Sequence, residues 1–284
     1  MNRNIGVDLV VTKIMARVET NGSIIRQNTI FLQQKDSLSA TLTQLINLIK
    51  PLTDYPATSI GIGVPSVVDV ERGIVYNVAN IPSWEKVALR DILEEEFNLP
   101  VFVNNDVNCF TLGEHRFGVA KNYSSVVGMT IGTGLGSGLI IDNQLYIGHN
   151  CGAGEIGLLP YRDHNLEYYA CSNFFDSIHG TTALEASQAA LNGNKKAINM
   201  WSEFGVHIGC AIKAAMYVFD PEAIVLGGSI SKAYPLFKAG MLETLNDFAY
   251  PQSLKRLKLL QSQDDDISML GAAALVSQDL KVKV

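Results

Sequence analysis

Residues 128–147, "GMTIGTGLGSGLIIDNQLYI", predict two β-strands around a glycine-rich turn, with glycine at positions 132, 134, 136 and 138. An earlier stretch, "GVDLVVTK" at residues 6–13, has the same strand-and-turn character but places two valines at its turn. The hairpins also nearly match in length, counted to the turn signals Asn21-Gly22 and Asp142-Asn143. One supersecondary unit that recurs after about 120 residues predicts a duplicated fold.

The elements around the two hairpins follow a similar order. The first half predicts a three-stranded meander, a helix, a strand, a second helix and a strand at residues 3–10, 13–19, 23–32, 37–50, 58–65, 87–98 and 101–104. The second half predicts strands at 125–132, 135–142, about 144–147 and 223–227, and a long helix at 200–219. We therefore expect two α/β domains, residues 1–117 and 118–284, with a last helix (about 267–280) that packs back on the first domain.

Composition narrows the class of protein. The chain has 284 residues, 47% of them hydrophobic and 18% charged, and its apolar runs are shorter than a membrane span requires. The N-terminal stretch carries Asp8 and has no cleavage site, so we expect a soluble, cytoplasmic protein that does not bind membranes. A net charge of −6 without a basic tract makes nucleic acid an unfavourable partner. The four cysteines form no Cys-x-x-Cys pair, which argues against a zinc knuckle.

The glycine-rich turn is the most specific chemical signal. Alternating glycines permit positive φ and close backbone approach, and the hydroxyls of Thr130 and Thr133 could contact a phosphate. A tightly packed hairpin would use glycine in the same way. Four glycines within seven residues favour the phosphate-binding interpretation.

Three further stretches carry candidate residues, each with a plainer alternative. In "VNNDVNCFTLGEHRFG" (103–118), Asp106 follows a strand and could act as a general base, although a helix N-cap is the commoner role. In "CGAGEIG" (151–157), glycines could present Glu155 to a ligand or form an ordinary turn. In "DPEAIVLGGSIS" (220–231), a strand ends at Gly227-Gly228, a usual place for a nucleotide base or ribose or a simple loop.

These stretches, together with "GIGVPSVVD" (61–69), "GIVYNVANIPSW" (73–84) and "LGAAAL" (270–275), resemble the ROK (repressor, open reading frame, kinase) family of sugar kinases over nearly the whole chain. The resemblance implies a duplicated actin-like ATPase (ribonuclease H-like) fold with a cleft between the domains. It also implies phosphorylation of a hexose or N-acetylhexosamine with ATP and Mg²⁺, and commonly a homodimer.

The resemblance implies a role for each matching residue. Asp106 would accept the proton of the sugar hydroxyl, and Asp8 would lie near Mg²⁺ and the transferred phosphate. Sugar hydroxyls would be held by Asn80, Asn105 and Glu155. The nucleotide would be held by Thr12, Lys13, Thr133, Gly134, Gly227 and Gly228.

Two sugar and metal positions depart from the family pattern. The family histidine that contacts sugar and zinc is Leu158 here, and of its cysteine ligands only Cys171 remains, so we expect no zinc site. The second sugar-binding glutamate of the family is replaced by Phe175, with Asp176 as a candidate substitute. An aromatic cluster in residues 166–180 could brace this wall without metal.

The turn after the first strand is the other departure. The family reads Asp-x-Gly-Gly-Thr, whereas this chain has Asp8, Leu9, Val10, Val11 and Thr12. Valine is strongly disfavoured at positive φ, so this turn takes another shape or binds phosphate weakly. The first hypothesis is therefore an active sugar kinase, and the second is a non-catalytic sugar-binding or regulatory protein. A DNA-binding repressor is not expected, because the chain begins directly on the first strand.

Overall fold

The computed structural model describes residues 3–9, 13–20, 23–78 and 80–279. The chain forms two compact units, the first of residues 1–122, 139–153 and 263–284 and the second of residues 123–138 and 154–262. The predicted turn residues Val10, Val11 and Thr12 lie outside the described residues. The domain boundary between residues 117 and 118 stays a prediction.

The secondary structure alternates strands and helices along the whole chain. The strands are β1 (Asn4–Leu9), β2 (Lys13–Thr20), β3 (Ser23–Phe31), β4 (Ser59–Val64), β5 (Val67–Asp69), β6 (Ile74–Tyr76), β7 (Lys86–Ala88), β8 (Val101–Asn105), β9 (Val126–Ile131), β10 (Leu135–Ile141), β11 (Gln144–Tyr146), β12 (Pro160–Tyr161), β13 (His164–Asn165), β14 (Ala223–Gly227) and β15 (Lys258–Gln261). The helices are α1 (Leu38–Ile49), α2 (Leu89–Phe97), α3 (Asp106–Arg116), α4 (Leu166–Tyr169), α5 (Ala183–Leu191), α6 (Lys195–Phe219), α7 (Tyr234–Leu245), α8 (Pro251–Arg256), α9 (Ile267–Ala273) and α10 (Val276–Asp279).

Two five-stranded sheets have the same topology. The first has the order β3-β2-β1-β4-β8 and the second the order β11-β10-β9-β14-β15. In the first sheet a meander of three antiparallel strands is followed by parallel pairing of β1, β4 and β8. In the second, β9, β14 and β15 are parallel and β10 pairs antiparallel with β11. The two orders correspond strand for strand, which confirms the predicted duplication.

Three helix predictions differ from the structure for local reasons. Helix α6 begins at Lys195, five residues before the predicted start, because the Asn194 side chain caps it by accepting from the backbone N–H of Ala197 at 3.1 Å. Helix α2 begins at Leu89 rather than 87, since residues 86–88 pair with β6 as β7. The predicted last helix is two short helices, α9 and α10, separated by a turn at residues 274–275. Among the described residues, no helix has the length and apolar character needed to cross a bilayer.

The first sheet is covered differently on its two faces. Ile5, Val7 and Leu9 alternate along β1 and belong to the hydrophobic core. On the opposite face, α9 approaches so closely that a Cβ atom at Gly6 would overlap the carbonyl oxygen of Met269, and one at Gly61 that of Ala272. Helix α9 therefore packs on β1 and β4 by backbone contact, which only glycine permits.

We expect the Gly61→Ala variant to lose about 1–3 kcal/mol of unfolding free energy, because the added methyl group overpacks a backbone contact. Urea unfolding monitored by circular dichroism measures this loss. Gly152→Ala is the matched control, because a Cβ atom there meets nothing within 4 Å. Equal unfolding midpoints for the two variants would contradict the close approach of α9.

Candidate functional site

Strand register brings candidate residues of the first unit to one edge of its sheet. Asp8 of β1 lies opposite Gly63 of β4, and Gly63 lies opposite Asn104 of β8. Strand β8 ends at Asn105, and α3 begins immediately with Asp106. The carboxyl ends of parallel strands are the usual ligand edge of an open α/β sheet. Asp8 and Asp106 are close enough there for the charge of one to act on the other.

Asn105, rather than Asp106, is the N-cap of α3. Its side-chain oxygen accepts from the backbone N–H groups of Val107 at 2.9 Å and Asn108 at 3.2 Å. Asp106 is the first helical residue, and its carboxylate also accepts from Val107 at 2.9 Å. The capping role that the sequence alone favours for Asp106 therefore belongs to its neighbour. A carboxylate on the first turn is stabilised by the positive end of the helix.

Asp8 is a buried carboxyl group, with 8% of its surface exposed. Burial, and after it the negative charge of Asp106, raise the pKa of Asp8, whereas Lys13 and Arg17 oppose the shift, and the net result is a pKa of about 7. Lys13, the first residue of β2, thus lies near Asp8, and its contact with a nucleotide stays a prediction. A divalent cation would relieve the repulsion between Asp8 and Asp106, and carboxylate oxygens are the ligands that Mg²⁺ prefers. The donor set therefore fits Mg²⁺.

Arg17 lies buried on the same sheet face as Asp8, and sequence reasoning missed it. The Arg17 side chain is fully buried on β2 and donates from Nη2 to the backbone carbonyl of Asp266 at 2.7 Å. Burial lowers the pKa of Arg17, and the nearby carboxylates of Asp264 and Asp266 oppose that shift. This hydrogen bond ties β2 to the residue that precedes α9.

Side chains around Asn104 fix the turn from β8 to α3. Its oxygen accepts from the backbone N–H of Asn105 at 2.8 Å, from Asn108 Nδ2 at 3.0 Å and from Cys151 Sγ at 3.4 Å. Sequence reasoning missed Asn104, Asn108 and Cys151, because hydrogen bonds between distant residues leave no local pattern. The network holds the backbone on which Asp106 stands.

The other sugar-binding candidate of the first unit lies in the loop between β6 and β7. Asn80 belongs to a turn closed by the hydrogen bond from Ile81 N to Val78 O at 2.9 Å. Asn105 donates from Nδ2 to the carbonyl of Ser66 at 3.4 Å. A sugar contact for Asn80 or Asn105 stays a prediction.

The second unit brings both of its glycine motifs together. Thr130 of β9 lies opposite Gly227 of β14, so the two parallel strands end side by side. Gly228 has φ +83°, and a Cβ atom there would lie 2.5 Å from the carbonyl oxygen of Ile131. Thr133 is exposed at the turn that follows β9. Thr133, Gly134 and Gly228 thus follow two adjacent strands, and Gly227 is the last residue of one of them; these four are predicted nucleotide residues.

Glu155 and Glu167 lie near each other beside the glycine-rich turn. Glu155 retains contact with solvent, but partial desolvation and the charge of Glu167 both raise the pKa of its carboxyl group. Glu167, on α4, accepts a hydrogen bond from the backbone N–H of Leu135 at 2.9 Å. Sequence reasoning missed Glu167, because 32 residues separate it from the turn.

The positions that replace the family zinc and sugar ligands have separate surroundings. Phe175 is fully buried and packs on Trp201 with ring centroids 4.6 Å apart, so its position belongs to an aromatic core. Asp176 and Leu158 are exposed, and Cys171 is buried. Among the described residues, no three His, Cys, Asp or Glu side chains form a group that could hold a metal ion. The absence of zinc and a sugar contact of Asp176 stay predictions.

Comparison with known proteins identifies a matching family and several related proteins. A family model described as "ROK family" matches residues 4–279. The xylose repressor of Bacillus spizizenii is 29% identical over 96% of this chain and 76% of its own length. The glucokinase of Thermotoga maritima is 26% identical over 96% of this chain and 97% of its own.

A solved structure gives the same picture. The ROK family glucokinase from Streptomyces griseus, in complex with glucose and AMPPNP, is 25% identical with a TM-score of 0.82 and covers 96% of this chain and 99% of its own. The expected fold class, a duplicated actin-like ATPase, is thereby confirmed.

The raised pKa of Asp8 predicts a pH-dependent effect of the Asp8→Asn variant. A raised carboxyl pKa stabilises the fold below the ordinary value of 3.8, and this stability is lost as pH rises through about 7. Asparagine cannot ionise, so the variant does not lose this stability as pH rises. It should be more stable than the unmodified protein by about 2–4 kcal/mol at about pH 8.5, and by much less at about pH 5.

Urea unfolding at the two pH values measures the difference. Asp54→Asn, which changes an exposed carboxylate of the same unit, is the control and should show no comparable pH dependence. A destabilised Asp8→Asn protein at the higher pH would show that the buried carboxylate is not the source of strain.

Proposed function

Because the chain belongs to the ROK family, we propose that it is a kinase that phosphorylates a hydroxyl group of a hexose or N-acetylhexosamine with ATP and Mg²⁺. The observation that carries the proposal is the Asp8 and Asp106 pair at the carboxyl edge of the first sheet. Glucokinases among the relatives, and the glucose complex of the Streptomyces griseus protein, support this substrate class.

Asp106 is the proposed general base. Its carboxylate accepts the proton of the sugar hydroxyl as that oxygen attacks the γ-phosphorus of ATP, and ADP leaves with the bridging oxygen. The Asn104 network and the Asn105 cap hold the backbone of this turn, so the base is positioned by groups that do not themselves react. Asn80, Asn105, Glu155 and Asp176 are the proposed contacts to sugar hydroxyls.

Asp8 is the proposed residue for Mg²⁺, directly or through water. Bound Mg²⁺ would neutralise developing negative charge on the transferred phosphate. Burial and the charge of Asp106 both oppose the ionisation of Asp8. A cation bound there would therefore restore the charged form of Asp8 near neutral pH.

Most of the proposed nucleotide residues belong to the second unit, namely Thr133, Gly134, Gly227 and Gly228. Backbone N–H groups at Thr133 and Gly134 are suited to phosphate oxygens. Gly227 and Gly228, where β14 ends beside β9, are the proposed contacts to adenosine. Thr12 and Lys13 are also proposed phosphate contacts. We propose further that the protein works as a cytoplasmic homodimer with a small sugar, and not nucleic acid, as its partner.

Asp106→Asn should lower sugar-dependent ATP consumption by roughly 10²–10⁴-fold, because the amide cannot accept the proton. Coupled measurement of ADP release across a panel of hexoses and N-acetylhexosamines provides the test. Asp54→Asn is the control and should retain full turnover, because its carboxylate is exposed and distant in sequence from the site. Sugar-dependent turnover that survives in Asp106→Asn would remove Asp106 as the base.

A second candidate function is sugar binding without phosphoryl transfer, as in a regulatory protein. Xylose repressors among the relatives favour it, and so do Val10 and Val11 in place of the family glycines. Under this hypothesis a sugar raises the melting temperature, whereas MgATP causes no shift with or without sugar. Thermal shift assays with the same sugar panel distinguish the two functions, since an MgATP shift accompanied by turnover rules out the regulatory one.

A further inference from the structure

The glycine-rich turn is closed on one side by the segment from Glu167 to Ser172. The backbone N–H of Ser172 donates to the carbonyl of Gly132 at 2.8 Å, and the carboxylate of Glu167 accepts from the backbone N–H of Leu135 at 2.9 Å. Both ends of the turn are therefore hydrogen-bonded to one neighbouring segment. The contact at the Leu135 end is made by a negatively charged side chain.

The Glu167 carboxylate also fills the space in front of Gly134. A Cβ atom at position 134 would lie 2.5 Å from Glu167 Oε2, the same oxygen that Leu135 contacts. A side chain at position 134 would therefore displace the Glu167 carboxylate from this place. A backbone N–H that binds a carboxylate is the kind of donor that binds phosphate oxygens.

A second carboxylate adds to the negative potential here. Burial raises the pKa of the Glu155 carboxyl group, and the nearby charge of Glu167 raises it in the same direction, so the two carboxylates lie close enough to repel. A phosphate at Thr133 and Gly134 would meet this potential, and like charges a few ångströms apart repel at a protein surface.

We propose that Glu167 sets the phosphate affinity of the glycine-rich turn, because its carboxylate occupies a backbone donor of the turn and repels a phosphate bound beside it. The role is that of a specificity-determining residue for the phosphoryl donor. It rests on the proposed function, in which Thr133 and Gly134 hold the phosphates of ATP.

Glu167→Gln tests the proposal, because the amide oxygen still accepts from Leu135 N–H while the charge is removed. Isothermal titration with MgATP should show about tenfold tighter binding than to the unmodified protein, and titration with adenosine should show no change. Glu167→Asp keeps the charge and should not gain affinity. Glu243→Gln removes an exposed charge on α7 of the same unit and should leave both affinities unchanged.

The outcomes separate this inference from the proposed function. Unchanged or weaker MgATP binding by Glu167→Gln, or an equal gain for adenosine, overturns the role of Glu167, and so does failure of every variant to bind MgATP. If one of these results is found while the unmodified protein still shows sugar-dependent turnover, the role of Glu167 is overturned and the proposed kinase function stands. Tighter binding by Glu167→Gln without turnover of any sugar supports the inference and counts against the kinase.

Discussion

The backbone contact between α9 and the first sheet is the constraint on which the first unit depends. Gly6 and Gly61 leave room for carbonyl oxygens of α9, and Gly271 of the helix lies against the carbonyl of Cys109 in α3. The helix therefore lies directly on the strands at these glycines, and Asp8, on the same sheet face, is buried. The same approach places Asp266 where Arg17 can donate to its carbonyl.

The burial that follows gives Asp8 its chemistry. The pKa of an aspartate in water lies well below neutral pH, whereas burial and the charge of Asp106 raise the pKa of Asp8 to about 7. Lys13 and Arg17 moderate the shift from the side of β2. A buried carboxyl group near its titration point gains from a nearby cation, which supports the proposed Mg²⁺ site at this edge.

Sequence patterns predicted the parts of this molecule that local physics determines. The two hairpins and the strand ending at Asp106 follow from periodicity and turn residues, and both recur in the structure with matched sheet orders. The contacts of Arg17, Asn104 and Glu167 join residues far apart in the chain, and no local rule pairs them. The resemblance to sugar kinases indicated the candidate residues, but only the folded structure shows that Asn105 is the cap and that Glu167 contacts the turn.

The position of α9 in the chain has a consequence for biosynthesis. The strands it covers begin at residue 4, but the helix itself comes from residues 267–273, so the ribosome makes the cover long after these strands. Until then the face of β1 and β4 that bears Gly6 and Gly61 has no partner, and the nascent first unit is an incomplete fold of high contact order. Completion of the first unit therefore waits for residues 267–273, which belong to it although they lie far along the chain.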